Sequence, residues 1–238
     1  MDRRTLLKST IGIYAYTRIA PAAFAKENET HGDDVSMLYG NAWDILPQAA
    51  DGKTEIVISS LITEKDDVWG DSYYICGVIH NNTDDECVLR KIDLQETSTD
   101  DYPTIWPLTI QPRSYALMRA EIIFDGEPSD DLTGMVPTFE SPDANYDFRM
   151  QINSVEWTDT GMKIEVENQF KDYDAPPGFA DGLILWFDAD STLVAEEKFS
   201  VDTEDTLAPG ESAKVEVELD KSAVTDDTLF LIGVSTLY

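Results

Sequence analysis

The stretch Lys163-Ile164-Glu165-Val166-Glu167 decides the fold. Its apolar residues fall at every second position, and every residue between them is charged. Side chains alternate across an extended strand, so this pattern gives one apolar face and one wet face. Lys214-Val215-Glu216-Val217-Glu218-Leu219 repeats it. Each reads as a half-buried strand. Working outward, the same criteria place strands at 55–61, 73–80, 88–94, 114–124, 149–157, 182–187, 192–199 and 229–237. Turn formers separate them: Asn81-Asn82, Asp159-Thr160-Gly161, Pro176-Pro177-Gly178 and Pro209-Gly210. No long stretch has a 3.6-residue period. Many short strands with frequent turns predict an all-β fold.

The strands repeat. Ile56–Leu61 precedes Cys76-Gly77-Val78-Ile79-His80-Asn81-Asn82, and Met150–Val155 precedes Lys163-Ile164-Glu165-Val166-Glu167-Asn168. Farther on, Leu108-Thr109-Ile110-Gln111-Pro112-Arg113-Ser114 answers Thr206-Leu207-Ala208-Pro209-Gly210-Glu211-Ser212. The offset is roughly 90 residues, the size of one immunoglobulin-like sandwich. The expectation is two tandem immunoglobulin-like antiparallel β-sandwiches, over residues 51–125 and 147–238. Residues 126–146, rich in proline, glycine and acids, read as an acidic linker. Residues 26–50 read as a polar lead-in, whose apolar segment Val35–Leu46 docks on the first domain. The second sandwich, residues 147–238, is expected to carry a core sufficient to fold alone.

In the second half, Ile184-Leu185-Trp186-Phe187-Asp188, then Leu193-Val194, then Leu207-Ala208-Pro209-Gly210-Glu211-Ser212-Ala213, resembles the FxLYD domain. In the first half, Gly77-Val78-Ile79-His80-Asn81-Asn82-Thr83-Asp84 is similar to the segment that opens such domains. The departures are Ile184, Trp186 and Phe187 in the namesake strand, and Ile92-Asp93-Leu94-Gln95-Glu96 at the matching place in the first half. Pro112-Arg113-Ser114 stands where Pro-Gly-Glu is expected. The resemblance implies an immunoglobulin-like β-sandwich of an exported microbial protein. It implies no catalytic residues.

The chain opens Met1-Asp2-Arg3-Arg4-Thr5-Leu6-Leu7-Lys8 and continues with a mildly apolar stretch to Ala22-Ala23-Phe24-Ala25. A charged start, a short apolar region and an A-x-A site are the layout of an export signal. Arg3, Arg4, Leu6 and Leu7 resemble a twin-arginine signal, with cleavage expected after Ala25. The stretch is too short and polar to span a bilayer, and no other transmembrane segment is expected. The expected location is therefore outside the cell or on its surface, reached by the twin-arginine route.

Charge defines the solvent. The chain has 17 basic and 47 acidic residues and a formal net charge of −30. Residues 1–25 hold four of the bases and one of the acids, which leaves 13 and 46 and a net of −33. That excludes nucleic acid and an anionic membrane as partners, since both demand Lys and Arg. With 42% apolar residues, five Trp, ten Tyr and nine Phe, the chain is too hydrophobic to be disordered. A folded domain of this charge repels itself in dilute salt. At molar salt the screening length falls to about 3 Å, and the repulsion becomes tolerable. The composition is of extreme-halophile type. The acid runs, such as Asp84-Asp85-Glu86, read as solvated turns, because none has the spacing of a calcium loop.

No motif carries chemistry. The only histidines are His31 and His80, and no Gly-x-Ser-x-Gly elbow is present. Neither a metal nor a cofactor is expected. Cys76 and Cys87 read as a disulfide, the common fate of two cysteines in an exported protein. The alternative is a zinc site of Cys76, His80 and Cys87. Asn28-Glu29-Thr30 and Asn81-Asn82-Thr83 are glycosylation sequons. Trp69, Tyr73, Tyr74, Tyr102 and Trp106 suit either a core or a sugar-stacking platform. Three functional readings follow. The first is a non-enzymatic exported, envelope-associated structural or interaction module whose partner is an envelope protein or a glycan. The second is an extracellular carbohydrate- or small-ligand-binding protein. The third, an extracellular hydrolase, needs a buried acid pair.

Overall fold

The computed structural model describes residues 38–64, 72–94, 104–105, 108–122, 135–141, 150–170, 174–178, 180–201, 206–219 and 228–236. The signal residues Arg3, Arg4, Leu6, Leu7 and Ala25, the sequon at Asn28, and His31, Trp69, Tyr102 and Trp106 lie outside the described residues.

The chain is all-β. Strands β1 (Tyr39–Gly40), β2 (Thr54–Glu64), β3 (Ser72–Asn81), β4 (Cys87–Leu94), β5 (Thr104–Ile105), β6 (Leu108–Ile110), β7 (Ser114–Ile122) and β8 (Met135–Glu140) come first. Then follow β9 (Met150–Trp157), β10 (Gly161–Asn168), β11 (Ala180–Phe187), β12 (Leu193–Val201), β13 (Ser212–Glu218) and β14 (Leu229–Thr236). Every strand expected from the alternation forms over its described part. The strands build four antiparallel sheets, in the orders β6-β4-β8, β2-β3-β7-β5, β1-β14-β11-β12 and β13-β10-β9.

The two halves share one strand order. In the first, β2-β3-β7 faces β6-β4-β8; in the second, β9-β10-β13 faces β12-β11-β14. Even the irregularities match. The β2–β3 register slips between Ile56 and Ile58, opposite Ile79 and Val78. The β9–β10 register slips opposite Glu165 and Val166, the corresponding positions. At the turn before β7, Arg113 takes the left-handed conformation (φ 53°) that Gly210 takes before β13 (φ 79°). That conformation strains a residue with a Cβ. Here the guanidinium is anchored by Asp84 at 2.9 Å and Asn82 at 2.6 Å.

Three apolar clusters lie between the four sheets, so the halves are stacked. Ile75, Ile79, Leu89, Ile92, Ile110 and Met118 fill the first half. Met162, Ile164, Val166, Ile184, Trp186 and Phe230 fill the second. The third cluster joins them: Tyr74, Cys76, Val78 and Leu117 of the first half meet Leu185, Phe187, Leu193 and Leu231 of the second. Strand β3 therefore has both faces covered, with Ile75 and Ile79 turned one way and Cys76 and Val78 the other. Strand β11 does the same with Ile184 and Leu185.

Two expectations about organisation change. Residues 135–140, inside the expected linker, form β8 and pair with β4. Met135 and Phe139 pack on the first core, which outweighs the linker-like composition around them. Pro137 is tolerated because β8 is an edge strand. The lead-in docks on the first half, and it also pairs with the second: Tyr39 sits opposite Ile232 and Gly40 opposite Leu231.

Candidate functional site

Buried polar groups converge on the seam between the halves. Arg119 of β7 reaches Glu196 of β12, with Nε 3.0 Å from Oε1. Both are deep: their side chains are 17% and 3% exposed. The Arg119 guanidinium also lies 3.5 Å from the centroid of the Tyr74 ring, a cation–π contact. An ion pair removed from water gains little net stability, yet separating its members is expensive. Its effect here is to fix where β12 crosses the first half.

At another part of the seam, His80 stacks on Tyr115 with centroids 4.2 Å apart. Its Nδ1 accepts the Ala49 N–H at 2.8 Å, which places a ring proton on Nε2. The Tyr115 hydroxyl donates to the Pro47 carbonyl at 3.2 Å, and Trp43 meets the Tyr115 ring edge-on. The lead-in thus lies against a patch of aromatic and amide groups on the first half.

The cysteines are not bonded to each other; both are reduced thiols in the structure. The expected disulfide between Cys76 and Cys87 is absent for a reason of facing. Cys76 points into the seam, whereas Cys87 points into the core of the first half. One sheet separates them. Burial pushes the Cys87 thiol up, partly offset by its contact with the Thr54 hydroxyl at 3.6 Å. The same facing separates Cys87 from His80. Among the described residues, no three His, Cys, Asp or Glu side chains converge as metal ligands.

Asn81, the second expected glycosylation site, is fully buried. Its Nδ2 donates to the carbonyls of Asp85 at 2.8 Å, Gln111 at 3.0 Å and Ile110 at 3.3 Å. Its Oδ1 accepts from the hydroxyls of Thr54 at 2.9 Å and Thr83 at 2.7 Å. A side chain so enclosed acts as a structural pin, its Nδ2 occupied by three carbonyls. Asn168 is its counterpart: also fully buried, it donates to the Leu207 carbonyl at 2.9 Å and accepts the Phe170 N–H at 2.9 Å. The signal for this role was in the sequence, since the repeat places Asn168 where Asn81 stands and no sequon accompanies it.

Of the aromatic set, Tyr74 is buried beneath Arg119 in the seam, out of reach of a sugar. Among the described residues, no helix is long and apolar enough to cross a membrane. Neither a family model, nor a curated protein, nor a solved structure matches the chain.

Proposed function

We propose that the chain is an exported, non-enzymatic protein of two immunoglobulin-like sandwiches, related to FxLYD domains, and that it serves at the cell envelope of a halophile as a structural or interaction module. The observation that carries the reading is the repeated strand order, stacked so that apolar faces meet at the seam and charged faces point outward. A stiff, acid-coated pair of sandwiches suits a spacer or a presenting surface in concentrated salt. Its address comes from the arginine pair at Arg3 and Arg4. The partner is an envelope protein or a glycan. The carbohydrate-binding alternative gains no support from Tyr74, which the seam encloses.

The experiment replaces Arg3 and Arg4 with lysine and follows the precursor in cells, then recovers the mature protein from the envelope at native salt. Precursor retained inside the cell, with wild-type protein co-purifying with envelope material, supports the reading. Normal export of the double variant removes the twin-arginine route. Wild-type protein found only in the medium, with nothing attached, removes the envelope role.

A further inference from the structure

Residues 38–53 cross the seam in two legs of unequal strength. The second leg is held to the first half by a dense set of bonds. Tyr115 donates to Pro47, His80 accepts from Ala49, and Asn82 Nδ2 donates to the Ala49 carbonyl at 2.9 Å. The Ala50 N–H reaches Glu55 at 2.9 Å, and the Gly52 N–H reaches the Asn82 carbonyl at 2.9 Å. The first leg makes fewer hydrogen bonds, though Tyr39 also packs against the second-half core. It offers two residues of β1 to β14, plus the Asn41 N–H to the Phe230 carbonyl at 3.1 Å and the Phe230 N–H to Asn41 Oδ1 at 2.8 Å. The two Asn41–Phe230 bonds join residues 189 apart in sequence. Leu38, just before the first leg, and Ala42, Trp43, Ile45 and Leu46, between the legs, pack into the same apolar cluster that joins the halves.

We infer that residues 38–50 form a strap that locks the two halves together, and that release of its first leg from β14 lets the halves part while each keeps its own fold. Three features support a joint at this place. The two flanking cores are clusters distinct from the seam, with Tyr39 of the strap packed against that of the second half. Among the described residues, the seam holds the buried pair Arg119–Glu196, and interfaces between domains are more polar than a domain core. The strap makes more hydrogen bonds to the first half than to the second, the arrangement in which the less bonded end comes away first.

The contact is fitted closely enough to be broken by design. Gly40 has φ +151°, and a Cβ there would collide with the Phe230 carbonyl oxygen. Gly233 leaves room for Leu38: a Cβ on it would stand 2.8 Å from Leu38 Cδ2. Gly40→Val therefore attacks the β1–β14 contact directly. Asn41→Ala is milder and removes only the bond accepted from the Phe230 N–H.

The two cysteines read the outcome. Cys76 is fully buried in the seam, and Cys87 lies in the first-half core. The mature protein, residues 26–238, is treated with a small alkylating reagent in molar potassium chloride, and modification of each cysteine is followed by peptide mass. The expected result is that Cys76 reacts at least ten-fold faster in Gly40→Val and several-fold faster in Asn41→Ala, while Cys87 keeps its wild-type rate in both. If Gly40→Val does not fold, Asn41→Ala decides alone. Acceleration of both cysteines together would mean that opening is general unfolding, and would overturn the proposal. Unchanged Cys76 reactivity in the folded variants would show that the strap does not lock the seam, and would overturn it equally.

Discussion

Strands β3 and β10 hold the same place in the two repeats, and they differ most in what lies beyond them. Both are the middle strand of a three-strand core arrangement, both end in a buried asparagine, and both face a matching bulge. On their inward faces, Ile75 and Ile79 correspond to Met162 and Val166, all fully buried. On their outward faces, Cys76, Val78 and His80 correspond to Lys163, Glu165 and Glu167. The first set is buried by the seam, and the second is half-buried at the solvent boundary. The outward face of a repeated sheet thus records whether another sheet covers it. Strand β10 ends the stack and β3 continues it. The packing is head-to-tail, with the β2-β3-β7 sheet of one unit on the β12-β11-β14 sheet of the next. Such contacts do not close on themselves, so a stack stays finite only if its end faces refuse a further unit. The outward faces of β10 and β13 carry charges at that end, which would oppose a further unit.

The hardest way to break this comparison is to remove one half. Residues 147–238 alone would expose Leu185, Phe187, Leu193 and Leu231 and would lose β1 from the edge of β14. Burial stabilises by about 2 kcal/mol per large apolar side chain, so the loss is a large fraction of a domain's stability. The fragment is expected to keep β-type circular dichroism in molar salt, because its own core is intact, but to melt well below the full chain and to self-associate. Light scattering beside a thermal melt checks both. A fragment that is monomeric and as stable as the whole would show that the seam is incidental.

Next in size is a single charge on the wrong face. Val78→Glu places on β3 the residue that β10 carries at the matching position. There it is solvated; in the seam it would be a buried carboxylate. The cost is expected to be about 3–5 kcal/mol, the range for an uncompensated buried charge. Denaturant unfolding at molar salt measures it. A loss below about 1 kcal/mol would mean that the seam is wet.

The reverse exchange is gentler. Glu165→Val with Glu167→Val gives β10 an apolar outer face without touching the core beneath. Stability should change by less than about 1 kcal/mol, as for most surface changes. The oligomeric state should change instead, because the end face would then resemble the seam face of β3. Size-exclusion chromatography in molar salt is expected to show concentration-dependent dimers. Strictly monomeric behaviour would remove the charges of β10 from the account of how the stack ends.

These contrasts also explain what the sequence revealed. Alternation in Lys163–Glu167 and Lys214–Leu219 identified β10 and β13, because a half-wet strand alternates. The apolar run Tyr73–Ile79 identified β3 as a strand but not as a seam, because a residue looks the same whether its own core or a neighbour's covers it. Its period of two was nevertheless informative: Cys76 is out of phase with Ile75 and Ile79 and so faces away from their core. Strand β1 escaped notice because two residues have no period, and its partner lies at the far end of the chain. Strand β8 was hidden by Pro137 and the acids around it. Asn81 carries a sequon, but its match to Asn168 in the repeat already pointed to a structural use, and its five hydrogen-bond partners show that use.

The smallest effect concerns how strongly the end face is built. Lys163 on β10 and Glu216 on β13 are register partners with Nζ 2.8 Å from Oε1. The bond to Lys163, and the attraction to its charge, hold the Glu216 carboxyl below the usual range; the same bond raises Lys163. A lowered carboxyl contributes stability that is present above the unfolded-state value and is lost as pH falls through the folded one. A raised amine contributes stability that is lost only as pH rises through its own elevated value. Both groups are open to water, and salt screens the pair. Glu216→Gln should therefore lower the melting temperature slightly at neutral pH in dilute salt. The difference from wild type should vanish in acid, where Glu216 is protonated, and again at molar salt. A difference that survives molar salt would mean that this end face is held by specific bonds. The face would then resemble the seam in its energetics as well as its topology, and charge would no longer distinguish β10 from β3.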